Sequence, residues 1–245
     1  MDRRDFLKIT GGTFLVGTSC AYAFRFLASS VASADVETGP GVKKWGMVID
    51  INKCRPDCTA CVDACRQENN VSFHADKRWD NHWIRKVNVE AEIGSKTIEK
   101  QVILLCNHCE KPPCAQVCPV RATYKRDDGI VIVDHHRCIG CRYCMIACPY
   151  NARMFNFKDD ESWPNQERPK RSHGVAEACT LCAHRLDTGR LPACVEACAN
   201  TGAGAIIVGD LNDPESNISR ITTTRAVKRI REDLGTEPKV YYIGL

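Results

Sequence analysis

Aromatic residues are scarce in this chain, 7% of 245 residues, too few to fill a large packed core by themselves. Long apolar runs are missing as well. The best candidate, Ile9 to Phe24, stops at Arg25 and carries Gly, Thr and Ser, so nothing reaches the roughly 18–20 uncharged apolar residues of a membrane-spanning helix. A polytopic membrane protein is excluded. Charge of one sign is not in excess either. Half of the formal net charge of +4 sits in the first 34 residues, as Arg3, Arg4, Lys8 and Arg25 against Asp2 and Asp5, which leaves no basic footprint for nucleic acid. Nothing in the sequence suggests a catalytic triad, a phosphate loop or a paired-carboxylate site. What abounds instead is cysteine, 17 residues in all, and cysteine chemistry is where the function has to be sought.

The N-terminus reads Asp2-Arg3-Arg4-Asp5-Phe6-Leu7-Lys8, then a mildly apolar stretch, then the small-x-small triplet Ala32-Ser33-Ala34. This has the form of a twin-arginine export signal over residues 1–34. That route carries proteins already folded, which suits a chain loaded with metal in the cytoplasm. The expected location is therefore the periplasmic or extracytoplasmic face of the membrane, peripheral or held by an uncleaved signal. Cys20 falls inside this segment. A lipid-attachment cysteine would want Leu near position 17, where Gly17 stands, so Cys20 is read as incidental.

The other sixteen cysteines form four runs of four: Cys54, Cys58, Cys61, Cys65; Cys106, Cys109, Cys114, Cys118; Cys138, Cys141, Cys144, Cys148; and Cys179, Cys182, Cys194, Cys198. The third, closing with Pro149, has the spacing of the bacterial ferredoxin run. Three thiolates so spaced can wrap one iron–sulfur cubane while loop N–H groups face its sulfurs. The fourth sits on the departing helix and reaches the neighbouring cluster. Disulfide frameworks rarely repeat Cys-x2-Cys, whose bridges are strained. Zinc knuckles lack the extra cysteine at x3. Covalent haem needs His after the pair, where this sequence has Val62, Glu110, Met145 and Ala183. The radical S-adenosylmethionine spacing of Cys54-x3-Cys58-x2-Cys61 is set aside because Cys65 and the other runs complete the ligand count. Pro119 and Pro149 follow the second and third runs, but Arg66 and Ala199 follow the first and fourth, a departure from the ferredoxin pattern.

Internal symmetry suggests the pairing. The stretch from Met47 to Asp50 leading to Lys53-Cys54 echoes the one from Val131 to Asp134 leading to Arg137-Cys138, and Pro113-Cys114-x3-Cys118 echoes Pro192-Ala193-Cys194-x3-Cys198. One ferredoxin unit has been used twice. If neighbouring runs two and three pair and runs one and four pair around them, four [4Fe-4S] clusters result. Their expected ligands are Cys106, Cys109, Cys114 with Cys148; Cys138, Cys141, Cys144 with Cys118; Cys54, Cys58, Cys61 with Cys198; and Cys179, Cys182, Cys194 with Cys65.

The order and spacing of the four runs, the stretch Asn107-His108-Cys109-x-Lys111-Pro112-Pro113-Cys114 and the stretch Arg137-Cys138-Ile139-Gly140-Cys141-Arg142-Tyr143-Cys144 resemble the four-cluster electron-transfer subunits of the DMSO reductase and polysulfide reductase families. The resemblance covers roughly residues 45 to 210. Within that group, the export signal and the extra residue in Arg55-Pro56-Asp57 are most similar to the periplasmic iron–sulfur subunit of the Dsr membrane complex. It implies an α+β fold of two nested bacterial-ferredoxin-like modules, each with two [4Fe-4S] clusters, with insertions and a C-terminal extension. Module A would comprise residues 45–100 plus 173–210, module B residues 101–157, and the extension residues 211–245. It also implies an electron wire, not an enzyme on its own, docked on a quinone-handling, multi-span NrfD-type membrane subunit. The second partner would be a multi-haem cytochrome c or another redox subunit. The alternative is the same role in a molybdopterin, polysulfide, tetrathionate or nitrite reductase system.

Strands are expected at Gln101 to Leu105, Gly129 to Val133, Arg153 to Phe157 and Ala203 to Val208. Trp83 and Ile84, in an insertion spanning 66–100, read as core in preference to a docking surface. The seven histidines read as surface or hydrogen-bonding groups. Ala226, Val227, Ile230 and Leu234 have helical spacing, which predicts an amphipathic helix from Thr222 to Leu234. Tyr241, Tyr242 and Ile243 are either a terminal strand or a tail held by a partner. Lys53, Arg55, Arg66, Arg137 and Arg142 crowd the cysteine loops, where cations would favour the reduced, more negative form of a cluster.

Overall fold

The computed structural model describes residues 41–245, apart from 72, 94–95 and 159–162. The export signal and Cys20 lie outside the described residues. In order along the sequence the elements are β1 (Trp45–Asp50), α1 (Ala60–Asn69), β2 (Ile84–Ile93), β3 (Lys96–Leu105), α2 (Pro113–Gln116), β4 (Thr123–Lys125), β5 (Val131–Val133), α3 (Tyr143–Ala147), β6 (Met154–Phe155), β7 (Ala176–Glu177), α4 (Ala183–Leu186), α5 (Ala193–Asn200), β8 (Ile206–Asp210), α6 (Asn217–Thr224) and β9 (Val240–Ile243). Each expected strand is present, with shifted bounds.

The pairing connects distant parts of the polypeptide. β1 is the middle strand of a three-stranded sheet, antiparallel to β8 and parallel to β9. Its run Met47-Val48-Ile49 is almost fully buried, as a strand covered on both faces requires. Beside it α1, which carries the end of cysteine run one, packs on α5, which carries the end of run four. Inside this frame β4 pairs with β5 and α2 packs on α3. β2 and β3 form a ribbon of their own, and the expected border at 100/101 falls within β3.

The missing prolines now have a physical meaning. Cys118 and Cys148 close short helical turns, and the next residue is Pro119 or Pro149. Pro has no N–H to continue a helix. With Arg66 and Ala199 in that place, α1 runs on through Cys65 to Asn69 and α5 through Cys198 to Asn200, giving the two longer helices that pack together.

The C-terminal region departs from expectation in one place. The helix is α6, capped by the Ser216 hydroxyl, which accepts from the Ser219 N–H at 3.2 Å, and it ends before Ala226. Lys228 exchanges backbone hydrogen bonds with Tyr242 in both directions, so tertiary pairing takes Lys228 out of the expected helix, and helical geometry returns only in the short 3-10 turn Glu232–Leu234. Tyr241 to Ile243 belong to β9, settling the open choice in favour of a strand. Trp83 and Ile84 are core. Trp83 Nε1–H donates to the buried Glu177 carboxylate at 3.2 Å, and Arg171 holds the other oxygen at 2.8 Å.

α6 is clamped on β8 by Ile218, fully buried against Gly209, where a Cβ would lie 2.8 Å from the Ile218 methyl group. Ile218→Ala should cost about 2–5 kcal/mol. At roughly 2–4 °C per kcal/mol for a protein of this size, the apparent Tm should fall by several degrees while bound iron, assayed chemically, stays unchanged.

Candidate metal centres

Two echoed turns deliver the first cysteine of runs one and three. Asp50 accepts from the Asn52 N–H at 3.1 Å and Asp134 from the His136 N–H at 2.9 Å. These are the same Asx turn, formed where the sequence repeats itself. The fourth cysteines of runs two, three and four are then fixed from behind by backbone donors. The Ala122 N–H reaches Cys118 Sγ at 3.2 Å, Ala152 N–H reaches Cys148 Sγ at 3.5 Å and Ala205 N–H reaches Cys198 Sγ at 3.2 Å.

None of the sixteen described cysteines is in a disulfide. They gather in four groups. Cys118, Cys138, Cys141 and Cys144 line one small pocket. The Asn69 side-chain amide lies 3.6 Å from both Cys65 Sγ and Cys182 Sγ, and Cys194 has Cys65 and Cys182 among its neighbours. Around Cys61 stand Cys54, Cys198 and Cys58; around Cys109 stand Cys114 and Cys148. Among the described residues no three Cys, His, Asp or Glu side chains close on a single ion, whereas a cubane needs only that each thiolate reach its own iron.

Burial dominates the thiol chemistry. Desolvation pushes Cys61 and Cys109 up to about 11 and Cys106 up to about 12, and it raises Cys179 and Cys194 well above the ordinary thiol range. Cys118 is the exception. Against its own desolvation, the N–H groups of Thr123, Ala122 and Val120 bring it below the ordinary value. Thiols kept protonated by burial are deprotonated outright by a coordinated metal, so the donor set fits iron–sulfur clusters.

Two buried donors point the same way. His108 Nδ1 accepts from the Val131 N–H at 3.1 Å, which leaves the ring proton on Nε2, and that atom is buried without a partner. Burial, with Lys239 and Arg153 nearby, lowers His108 to about 3, so it is a neutral donor. Arg153 Nη1 is likewise buried and unpartnered. Both stand beside cysteines of run two, where cluster sulfides would accept from them. Sequence reasoning missed Arg153, Asn69 and Lys86, whose ammonium donates to the carbonyls of Arg55, Pro56 and Cys58 at 2.8–2.9 Å and so braces the enlarged loop of run one. The one signal for Arg153 was the echo of Cys118-Pro119-x2-Ala122-Thr123 in Cys148-Pro149-x2-Ala152-Arg153. Of the loop cations expected to face the clusters, Arg142 is exposed and lies over Phe155 and Phe157 at 5.5 Å.

Gly140 sits between two cysteines at φ +69°, and a Cβ there would meet the Gly174 carbonyl oxygen at 2.4 Å. Gly140→Ala should push the loop off the segment leading into β7 and disturb Cys138 and Cys141. The expected loss is on the order of four irons per molecule, read by iron and sulfide analysis against the unaltered protein.

Residues 101–210 match the family model described as a 4Fe-4S dicluster domain. Across its whole length the protein is 40% identical to the Hdr-like menaquinol oxidoreductase iron-sulfur subunit 1 of Archaeoglobus fulgidus, covering 98% of that relative. It is 39% identical to a tetrathionate reductase subunit of Salmonella typhimurium, over 99% of its own length and 88% of that relative. A polysulfide reductase component of Wolinella succinogenes is 35% identical, with 82% of the present sequence and 94% of the relative covered.

Proposed function

This protein belongs to the family of iron–sulfur electron-transfer subunits of membrane-associated oxidoreductase complexes, and from that premise we propose that it is a linear four-cluster relay between two partners. It is not catalytic on its own. When bound, [4Fe-4S] clusters supply one-electron transfer at potentials that the surrounding protein sets. The ligand groups read from the sequence are the ones proposed to hold them. Two nested modules are proposed with them: β1–β8 with α1–α5 outside, β4–β5 with α2–α3 inside.

The observation that carries the reading is the order of the cysteine groups and their graded burial. Cys61 neighbours Cys194, linking the Cys54 group to the Cys179 group. Cys179 neighbours Cys106, linking that group to the next. Cys144 neighbours Cys114, linking the last. Along this line the two middle groups are buried at Cys65, Cys179, Cys182, Cys194, Cys106, Cys109 and Cys114 and half-buried only at Cys148, while the end groups combine buried Cys61 and Cys198 with half-buried Cys54 and Cys58, and buried Cys144 with half-buried Cys118 and Cys138 and exposed Cys141. A buried middle with open ends is what a relay needs: exchange with partners at the ends and protection from water between them.

The Cys141 end carries an apolar face. Ile139, Tyr143 and Ile146 are 64%, 58% and 84% exposed, and Arg121, Arg137 and Arg142 are exposed as well. Exposed apolar residues with arginines close by in the sequence have the composition of an interface centre, and one partner subunit is proposed to dock here. The partners proposed are an NrfD-type multi-span membrane subunit and a multi-haem cytochrome c or other redox subunit, in a Dsr-type sulfur-metabolism complex at the extracytoplasmic face. Support comes from the enlarged run-one loop and the twin-arginine motif. Co-purification of a molybdenum subunit would favour the tetrathionate or polysulfide reductase type instead, as the names of two relatives do.

Purified protein should absorb near 400 nm and hold on the order of sixteen irons with matching sulfide, as four cubanes demand; zinc without sulfide would overturn the reading. Ile146→Glu should keep that iron content yet lose co-purification with the partner subunit by at least several-fold, measured by affinity capture from solubilised membranes.

A further inference from the structure

Arg153 is 3% exposed, and no carboxylate forms an ion pair with it among the described residues. A guanidinium cannot shed its proton inside a protein, and leaving it buried without an opposite charge is strongly unfavourable. The charges available to offset it are sulfur. Its Nη2–H donates to Cys114 Sγ at 3.1 Å. Cys106 and Cys144 also lie near enough for their charges to act on it, and Nη1 is buried with no protein acceptor. Cys106 and Cys114 are in one proposed ligand group and Cys144 in the next, so the cation lies between two neighbouring sites.

We propose that Arg153 is the fixed internal cation that raises the reduction potentials of the two clusters held by runs two and three. The inference rests on the relay reading and assigns it a control point. Each transfer takes one electron from a reduced cluster and gives it to an oxidised neighbour. The donor loses one negative charge and the acceptor gains one, with no bond made or broken and no proton moved. A buried cation that touches one site and acts on its neighbour lowers the energy of the electron on either one, and low dielectric makes that interaction far stronger than at the surface. Exposed Arg142 is screened by solvent and salt and contributes little by comparison. The charge of Arg153 does not titrate, so this contribution is independent of pH. The repeat makes the placement specific. At the echoed position stands Thr123, neutral and 3% exposed, and the group around Cys65 and Cys182 has the neutral Asn69 amide instead.

The test is redox-titrated EPR on the full cluster-loaded protein, with iron and sulfide counted in the same samples. Arg153→Gln should lower the midpoint potentials of two of the clusters and leave the other two in place; Arg153→Lys should leave all of them close to the unaltered protein. Unchanged potentials in a fully loaded Arg153→Gln protein, or an equal drop with Lys, would overturn the proposal and leave the relay reading intact. Absence of iron and sulfide from the unaltered protein would instead defeat the relay reading itself. Should Arg153→Gln fail to assemble, the unaltered protein decides. With arginine labelled by nitrogen-15, hyperfine spectroscopy of the reduced clusters should show a coupled guanidinium nitrogen, and its absence would overturn the proposal.

Discussion

A thiolate in a protein interior is tolerated only when positive charge or donated hydrogen bonds replace the water it has lost. Sixteen cysteines impose that condition on this protein, and the architecture answers it at successive scales. Backbone N–H groups from Ala122, Ala152 and Ala205 answer for the ends of three runs. The side chains of Asn69 and Arg153 answer for the buried middle. Iron, when bound, would be the largest positive charge among them, and its binding would then contribute to folding. The shortage of aromatics is explained by the same fact: where the core would otherwise be apolar volume, metal-ligating loops occupy it.

The four cysteine runs end in two ways. Proline after Cys118 and Cys148 ends the helical turn at once. Without proline, α1 and α5 continue and lie against each other, and the end of α1 brings Asn69 over two thiols. The residue at one position after the cysteine thus separates a short turn from a helix long enough to pack.

The local turns of the cysteine loops were legible in the sequence, because turn chemistry is local and the repeat doubled the signal. The Asx turns at Asp50 and Asp134 are the clearest case, since the same side chain takes the same N–H in both copies. What failed was long-range. The helical period of Ala226 to Leu234 gave no hint that Tyr242 would pair with Lys228 and interrupt the helix there. Arg153 read as an ordinary strand residue, because its meaning depends on which distant sulfurs surround it. Trp83 was recognised as core from its local setting, but its partner Glu177 lies 94 residues away and could not be named.

β9 closes the sheet through long-range contacts alone. It lies parallel to β1, and the residues just before it cover run two: Lys111 N–H donates to the Thr236 carbonyl, Glu110 N–H to the Glu237 carbonyl and Lys239 N–H to the Asn107 carbonyl. These contacts join segments more than a hundred residues apart. Forming them costs the entropy of closing a long loop, so the cover of the Cys109 turn and the parallel edge of the central sheet belong to the slow, topology-limited part of folding.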